Sequence, residues 1–230
     1  MTPGSRPTGD LTSAARSGLP PTGGAGGTTS GGSLRFPAGS LVILTGLPGA
    51  GKSTLLRRLY GLTGQEAGPV AAGPTRVIDS GQARLRWART LAWAPKPVRT
   101  FVVHCTHLSR IARNLAAGHS VVAHNRGTWS HILYGFAWLA RRHGREFHLI
   151  MLDVDAATAM EGQQVRGRVV PRATFDRHAQ RWRVLVRRAR ATGALAPATG
   201  VTVLDRAGAD RVTELSFTGP GAPAQPPTAA

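Results

Sequence analysis

The sequence is poor in cysteine, which limits the chemistry it can support. It holds a single cysteine, Cys105, among 230 residues, so an intrachain disulfide and a zinc site built from several thiolates are excluded. A reducing, cytoplasmic environment suits such a chain. The apolar residues around Cys105 predict a small buried hydrophobe and not a catalytic thiol.

Long apolar runs are also absent. No stretch approaches the roughly 18–20 apolar residues that a membrane-spanning helix needs, and no apolar segment follows a basic N-terminal start. We therefore expect a soluble cytoplasmic protein that is not exported and has no membrane partner.

Acidic residues are few, and the basic excess is large. There are 29 Lys and Arg against 11 Asp and Glu, a formal net charge of +18, and the only lysines are Lys52 and Lys96. Such a surface attracts polyanions, including nucleotides and nucleic acids. Charge alone identifies no particular partner.

Large apolar side chains are scarce at both ends of the chain. Residues 1–33 and 218–230 are dominated by small and turn-forming residues and cannot bury enough surface to offset their ordering entropy. We expect both tails to be disordered and residues 34–217 to form one folded domain.

Within residues 34–217, short aliphatic runs alternate with longer helical patterns. This alternation predicts an α/β fold of three layers, with helices on both faces of a parallel sheet of about five strands. The predicted strands are Ser40–Thr45, Thr75–Ile78, Ser120–Ala123, Phe147–Leu152 and Val201–Leu204.

Three apolar stripes recur at helical spacing and are interpreted as core. They comprise Phe101, Cys105, Leu108, Ile111 and Leu115; Trp129, Ile132, Leu133, Phe136 and Ala140; and Phe175, Ala179, Trp182, Val186 and Ala189. Pro171 is well placed to start the helix that carries the third stripe.

The strongest motif follows the first predicted strand. Gly46–Ser53 reads Gly-Leu-Pro-Gly-Ala-Gly-Lys-Ser, a P-loop in its required context of strand, glycine-rich loop and helix. Loop amides and the helix N-terminus would hold phosphates, Lys52 would neutralise β- and γ-oxygens, and the Ser53 hydroxyl would coordinate Mg²⁺. The residues predicted to bind ATP here are Gly46, Leu47, Pro48, Gly49, Ala50, Gly51, Lys52, Ser53 and Thr54.

A P-loop alone does not separate ATPases, GTPases and kinases. The sequence contains no Asn-Lys-x-Asp guanine reader, and it is short for most large motor ATPases. Kinases acting on small substrates or on nucleic acids remain.

Asp79 closes the second predicted strand, at the edge of the sheet where ligands bind in doubly wound folds. A carboxylate there can accept the proton of a substrate hydroxyl. The alternative is an N-cap for the helix that starts at Ser80. Arg84 and Arg86, on that helix, could hold an anionic acceptor or be solvated surface charges.

An arginine-rich segment between two predicted helices has the character of a lid over the phosphates. A cationic lid would stabilise the charge that spreads over the phosphoryl oxygens and would exclude water. The candidates are Arg166, Arg168 and Arg172, each of which could equally be a surface charge.

With these features, residues 41–217 resemble the polynucleotide kinase and zeta-toxin-like group of P-loop kinases, as an AAA-type ATP-binding protein. The P-loop is the specific match; Asp79, the Arg-Gly-Arg lid and the segment Val203-Leu204-Asp205-Arg206 are shorter matches. The resemblance implies that Asp79 activates the acceptor hydroxyl and that Arg206 lies near the adenine.

One position departs from the family pattern. Such kinases usually close the third strand with an acid that supports magnesium, whereas His124 and Asn125 follow Val121-Val122-Ala123. Asn125 could bind metal weakly, and Asp153 or Asp155 after the fourth strand could substitute.

Several other histidine, tryptophan and aspartate residues could be functional but are interpreted as structural. His104 and His107 have metal-like spacing but no third ligand nearby, so a buried or capping role is expected. Trp129 and Trp182 belong to apolar stripes and are expected in the core. Asp205 could cap the turn after the fifth strand.

Together these observations predict an enzyme that transfers the γ-phosphate of ATP to a hydroxyl acceptor, with ATP and Mg²⁺ as cofactors. The acceptor could be a nucleic acid, a nucleotide or a small molecule. The alternative is a nucleotide-binding regulatory or nucleic-acid-associated protein with little catalysis, favoured by the net charge of +18 and the missing acid.

Overall fold

The computed structural model of this protein describes residues 28–30, 32–125, 130–164 and 170–219. The strands in these ranges are β1 (Thr28–Ser30), β2 (Ser33–Pro37), β3 (Leu41–Gly46), β4 (Val70–Ala72), β5 (Thr75–Ile78), β6 (Ser120–His124), β7 (Phe147–Leu152), β8 (Gly200–Leu204) and β9 (Glu214–Thr218). The helices are α1 (Lys52–Tyr60), α2 (Ser80–Trp87), α3 (Lys96–Ala116), α4 (Ser130–Arg142), α5 (Ala156–Gln164), α6 (Arg172–Thr192) and α7 (Arg206–Arg211).

Six strands form the central sheet, in the order β4-β5-β6-β3-β7-β8. Five of them run parallel, and β4 pairs antiparallel with β5 at one edge. The α/β fold with about five parallel strands is therefore confirmed, and the predicted strand ends lie within one residue of the observed ones. The sequence did not predict β4, because three residues of Val-Ala-Ala make too short an apolar pattern.

A second, smaller sheet of β1, β2 and β9 joins the two ends of the folded unit. β2 and β9 are parallel, and Leu34 pairs with Leu215. Because β1 lies within residues 1–33, which were predicted to be disordered, the expected start of the fold at residue 34 is too late. Residues 1–27 and 220–230 lie outside the described residues.

The layers are set by the alternation of side chains along β7. Phe147 and His148 are neighbours and point to opposite faces of the sheet. The ring of Phe136 in α4 packs 6.3 Å from that of Phe147, and the ring of Phe36 in β2 packs 5.3 Å from that of His148. Helix α4 and the small sheet therefore cover opposite faces of the central sheet.

Packing confirms the apolar stripe of α6 in full. Its members Phe175, Ala179, Trp182, Val186 and Ala189 are all buried. In the stripe of α4, Trp129 lies outside the described residues, while Leu133, Phe136 and Ala140 are buried.

The stripe predicted for α3 is wrong in its N-terminal half. Phe101 is 69 % exposed, and Cys105 is also exposed. The buried face of α3 instead consists of His107, Ile111 and Leu115, because the first turns of the helix extend past the sheet into solvent.

None of the helices in the described ranges is both long and apolar enough to span a membrane.

Candidate functional site

The P-loop lies at the carboxyl end of β3, the central strand of the parallel set. Gly49 has φ +94°, a left-handed conformation that favours glycine, and a Cβ at this position would collide with the carbonyl oxygen of Ala159. Gly51, with φ +91°, caps the N-terminus of α1. The loop thus aims the free N–H groups of the first turn of α1 at the space above it, where an anion would bind.

Lys52 lies against this loop. Its side chain is only 7 % exposed, and Nζ donates hydrogen bonds to the carbonyl oxygens of Gly46 and Leu47, both at 2.8 Å. The ammonium is therefore held at the P-loop itself, and its predicted role in neutralising phosphate oxygens stays a prediction.

Helix α5 packs directly on the P-loop, a contact that the sequence did not predict. A Cβ on Gly162 would lie 2.6 Å from the carbonyl oxygen of Gly49. The buried Gln163 side chain donates to the Pro48 carbonyl at 3.1 Å and accepts from the Val170 N–H at 2.9 Å. Gln163 therefore connects the P-loop to Val170, which lies two residues before α6.

Of the two roles that the sequence left open for Asp79, the catalytic one stays a prediction, while the structure confirms that Asp79 caps a helix. It is the N-cap of α2: its carboxylate accepts from the Gly81 N–H, and its own N–H donates to the Gln82 side chain at 3.1 Å. The same carboxylate follows β5 at the carboxyl edge of the sheet, near the hydroxyl of Ser53, which is predicted to coordinate magnesium.

The pKa of Asp79 is held well below its ordinary value. Burial alone would raise it, but the neighbouring His124 ring, the Gly81 N–H and the Ser53 hydroxyl together outweigh burial. The carboxylate is therefore ionised at neutral pH.

His124 occupies the position of the missing acid and meets Asp79. Ile78 of β5 pairs with Ala123 of β6, so the residues that follow them are neighbours. Nδ1 of His124 lies 3.3 Å from Oδ1 of Asp79, and Nε2 lies 3.4 Å from the Ser80 hydroxyl. The sequence showed the departure at this position, but the His124–Asp79 pairing follows only from the register of adjacent strands.

The two acids considered as substitutes are engaged elsewhere. Asp153 forms an ion pair with Arg190 at 2.7 Å. Asp155 caps α5 by accepting from the N–H and the hydroxyl of Thr158. Their alternative role as a replacement for the strand-three acid receives no support from these contacts.

His107 lies buried behind this pair, with 3 % of its surface exposed. Neither ring nitrogen has a hydrogen-bond partner within the described part of the chain. Burial lowers the pKa of His107 to about 3, and the nearby His124 adds to the effect. The buried role expected for His107 is therefore confirmed, whereas His104, for which a buried or capping role was also expected, is exposed.

Arg206 begins α7 and lies beside the start of α1. It lines a shallow cavity of about 40 Å³ together with Gly51 and Thr54, and its Nε donates to Asp210 at 3.2 Å. Asp205 caps α7 by accepting from the Gly208 N–H, as expected. The position of Arg206 next to the P-loop is compatible with the predicted contact to adenine, which stays a prediction.

The three predicted lid arginines are only partly described. Arg166 and Arg168 lie outside the described residues. Arg172 is the exposed first residue of α6, two positions after Val170, which Gln163 ties to the P-loop. Its proposed role at the phosphates stays a prediction.

Comparison with known proteins connects this geometry to a family. A family model described as an AAA domain matches residues 41–185. The aliphatic sulfonates import ATP-binding protein SsuB of Escherichia coli O1:K1 is 44 % identical over 63 residues, which cover 26 % of this chain and 25 % of that protein. The chain thus matches about a quarter of this curated relative's length.

Two solved structures are similar to this chain. A chain of the PezAT toxin–antitoxin system of Streptococcus pneumoniae has a TM-score of 0.50 at 17 % identity, covering 78 % of both chains. A gluconokinase from Sinorhizobium meliloti 1021 has a TM-score of 0.45 at 14 % identity, covering 77 % of this chain and 89 % of that one. At 17 % identity the likeness to the PezAT chain establishes the fold alone.

Proposed function

Because this chain belongs to the AAA-domain family of P-loop kinase-like proteins, we propose that it transfers the γ-phosphoryl group of ATP to a hydroxyl group of an acceptor. One observation carries the proposal. The ionised carboxylate of Asp79 lies near the Ser53 hydroxyl of the P-loop, which supports a site that combines an acid for the acceptor with the phosphate-binding loop.

The P-loop side would bind ATP. Loop amides and the N-terminus of α1 would hold the phosphates, and Lys52 would exchange its carbonyl partners for phosphate oxygens. Arg206 would contact the base from the cavity beside Gly51 and Thr54.

The oxygen donors present fit Mg²⁺, which prefers hard ligands and few protein contacts. The Ser53 hydroxyl would bind the ion, and the adjacent Asp79 carboxylate would compensate part of its charge. When bound, the ion would neutralise charge on the β- and γ-phosphate oxygens.

Asp79 would orient the acceptor hydroxyl and accept its proton as the new P–O bond forms. Its low pKa makes it a weak base, which suits a transfer in which the phosphoryl group is loosely bound and the proton leaves late. His124 would hold the carboxylate in place from the neighbouring strand. Arg166, Arg168 and Arg172 are proposed to cover the phosphates.

A second candidate function is nucleotide binding with little turnover. The His124–Asp79 contact favours it, because a histidine stands where an acid would support the metal, and it pairs with the proposed base. In that case Asp79 serves mainly as the cap of α2.

The experiment that separates the two functions is label transfer from γ-labelled ATP with Mg²⁺. Separate pools of 5′-hydroxyl oligonucleotides, nucleosides, sugar nucleotides and aminoglycoside-like alcohols serve as acceptors. We expect wild type to label one pool and Asp79→Asn to label none. Asp155→Asn is the control for the loss of a helix-capping carboxylate, because Asp155 also caps a helix, and it should behave as wild type. Tight ATP binding without transfer to any pool would favour the second function.

A further inference from the structure

The hairpin of α2 and α3 projects a surface that the proposed transfer does not use. The hairpin starts directly after Asp79. A hydrogen bond joins its two helices: Nε1 of Trp87 in α2 donates to the Thr106 hydroxyl in α3 at 2.8 Å. Beyond this bond Ala94 is buried, but every residue from 95 to 101 is exposed, so the start of α3 is open to solvent.

This tip carries large apolar side chains that the core does not cover. Trp93 is 80 % exposed, Phe101 69 %, Val98 46 % and Leu85 40 %. Two aromatic rings this open on one short hairpin can stack on a flat partner.

The tip is also strongly cationic. From Ser80 to Arg145 the sequence has no Asp or Glu, but it has ten arginines and Lys96. Four cations belong to the hairpin tip or its base: Arg86, Arg89, Lys96 and Arg99. None of the four forms an ion pair within the described ranges, and the Arg86 guanidinium lies 5.6 Å from the centre of the Trp87 ring.

We propose that the α2–α3 hairpin binds single-stranded nucleic acid. Trp93 and Phe101 stack on unpaired bases, while Arg86, Arg89, Lys96 and Arg99 contact the phosphates. Proteins commonly bind single-stranded nucleic acid without sequence preference by combining exposed aromatic rings with cationic side chains. Any base can stack on an aromatic ring, and every phosphate in the backbone carries a negative charge that a cation can contact. This surface does not depend on phosphoryl transfer.

Two other polyanionic partners fit the tip less well. A duplex keeps its bases stacked on one another and leaves the two rings without a role. A lipid surface also attracts cations and tryptophan, but interfacial helices expose an apolar face along much of their length. The exposed apolar part of α3 is short, because from His107 onward one face of the helix is buried through His107, Ile111 and Leu115.

The test is the affinity of the full-length protein for a dye-labelled oligothymidylate, measured by fluorescence anisotropy. We expect Trp93→Ala and Phe101→Ala each to weaken binding about tenfold, as loss of one stacked base predicts. Trp138→Ala is the matched control, because Trp138 is 59 % exposed and lies 5.9 Å from Arg142 on α4. It should bind as wild type does.

The salt dependence tests the cations. Four phosphate contacts predict a slope of about −3 for log K against log salt, and Arg99→Gln should reduce it by about 0.7. Arg187→Gln, an exposed arginine on α6, should leave the slope unchanged.

Three results would overturn the assignment: no binding of the oligonucleotide, equal loss of affinity in Trp138→Ala, or Trp93-dependent binding to anionic phospholipid vesicles in its place. Asp79→Asn should bind the oligonucleotide normally. This variant therefore separates failure of the hairpin proposal from failure of the phosphotransfer proposal.

Discussion

The P-loop and the α2–α3 hairpin meet at Asp79 and are built in opposite ways. On the P-loop side, Lys52 is 7 % exposed and Gly49 packs against α5 with no room for a side chain. On the hairpin side, Trp93 is 80 % exposed. Internal packing therefore fixes the shape of the P-loop, whereas the large side chains at the hairpin tip are left exposed.

The largest effect is expected from Gly49→Ala, which disturbs the tightly packed P-loop. The added methyl group would collide with the Ala159 carbonyl, and φ +94° disfavours any L side chain. We expect a loss of about 3 kcal/mol in the free energy of unfolding and about a hundredfold weaker ATP binding. Urea unfolding and ATP titration measure the two effects.

Gly61→Ala is the matched control for this change. Gly61 also has positive φ, +62°, but nothing lies within 4 Å of its would-be Cβ. It should cost about 1 kcal/mol of backbone strain and leave ATP affinity unchanged. Equal effects of the two variants would show that close packing against α5 does not shape the loop.

The P-loop side was predictable because its signal is local. Glycine spacing, the preceding aliphatic strand and the following helix all lie within Leu41–Tyr60, and the structure keeps them in that order. The packing of Gly162 on Gly49 was not predictable, since it joins segments more than a hundred residues apart.

The next prediction concerns His107, at the buried base of the hairpin. Its pKa falls from 6.5 in the unfolded chain to about 3 in the folded protein, so the unfolded state binds the proton more readily. The contribution of His107 to the free energy of unfolding is therefore full above pH 6.5. It falls by about 1.4 kcal/mol per pH unit as the pH drops from 6.5 toward 3.

His107→Leu should remove this part of the pH dependence, as urea unfolding at a series of pH values would measure. His104→Leu, an exposed position on the same helix, should keep the wild-type slope. If the free energy of unfolding of His107→Leu still depended on pH as in wild type, the buried imidazole would not be the titrating group.

A smaller effect is expected from Gln163→Leu. The change removes the amide that joins the Pro48 carbonyl to the Val170 N–H, which should cost about 1–2 kcal/mol of stability and weaken ATP binding about fivefold. Gln164→Leu, exposed and next in sequence, is the control. Unchanged ATP affinity in Gln163→Leu would remove this contact from the account of the P-loop.

The contact between Asp79 and His124 was harder to predict, because it depends on the register of neighbouring strands. The sequence identified Asp79 and the missing acid at His124, but their contact depends on Ile78 pairing with Ala123. The exposure of Phe101 and Cys105 was missed for a related reason: helical spacing shows which residues share a face, not where the sheet beneath that face ends. The pairing of β2 with β9 likewise joins opposite ends of the fold through short strands.

The most direct test of the central claim is the single-turnover rate of label transfer from γ-labelled ATP, measured with ATP affinity on the same samples of wild type and Asp79→Asn. The catalytic role of Asp79 predicts that Asp79→Asn loses transfer by about a thousandfold while it binds ATP as wild type does. Transfer at the wild-type rate in Asp79→Asn would contradict it and leave Asp79 as the cap of α2 alone.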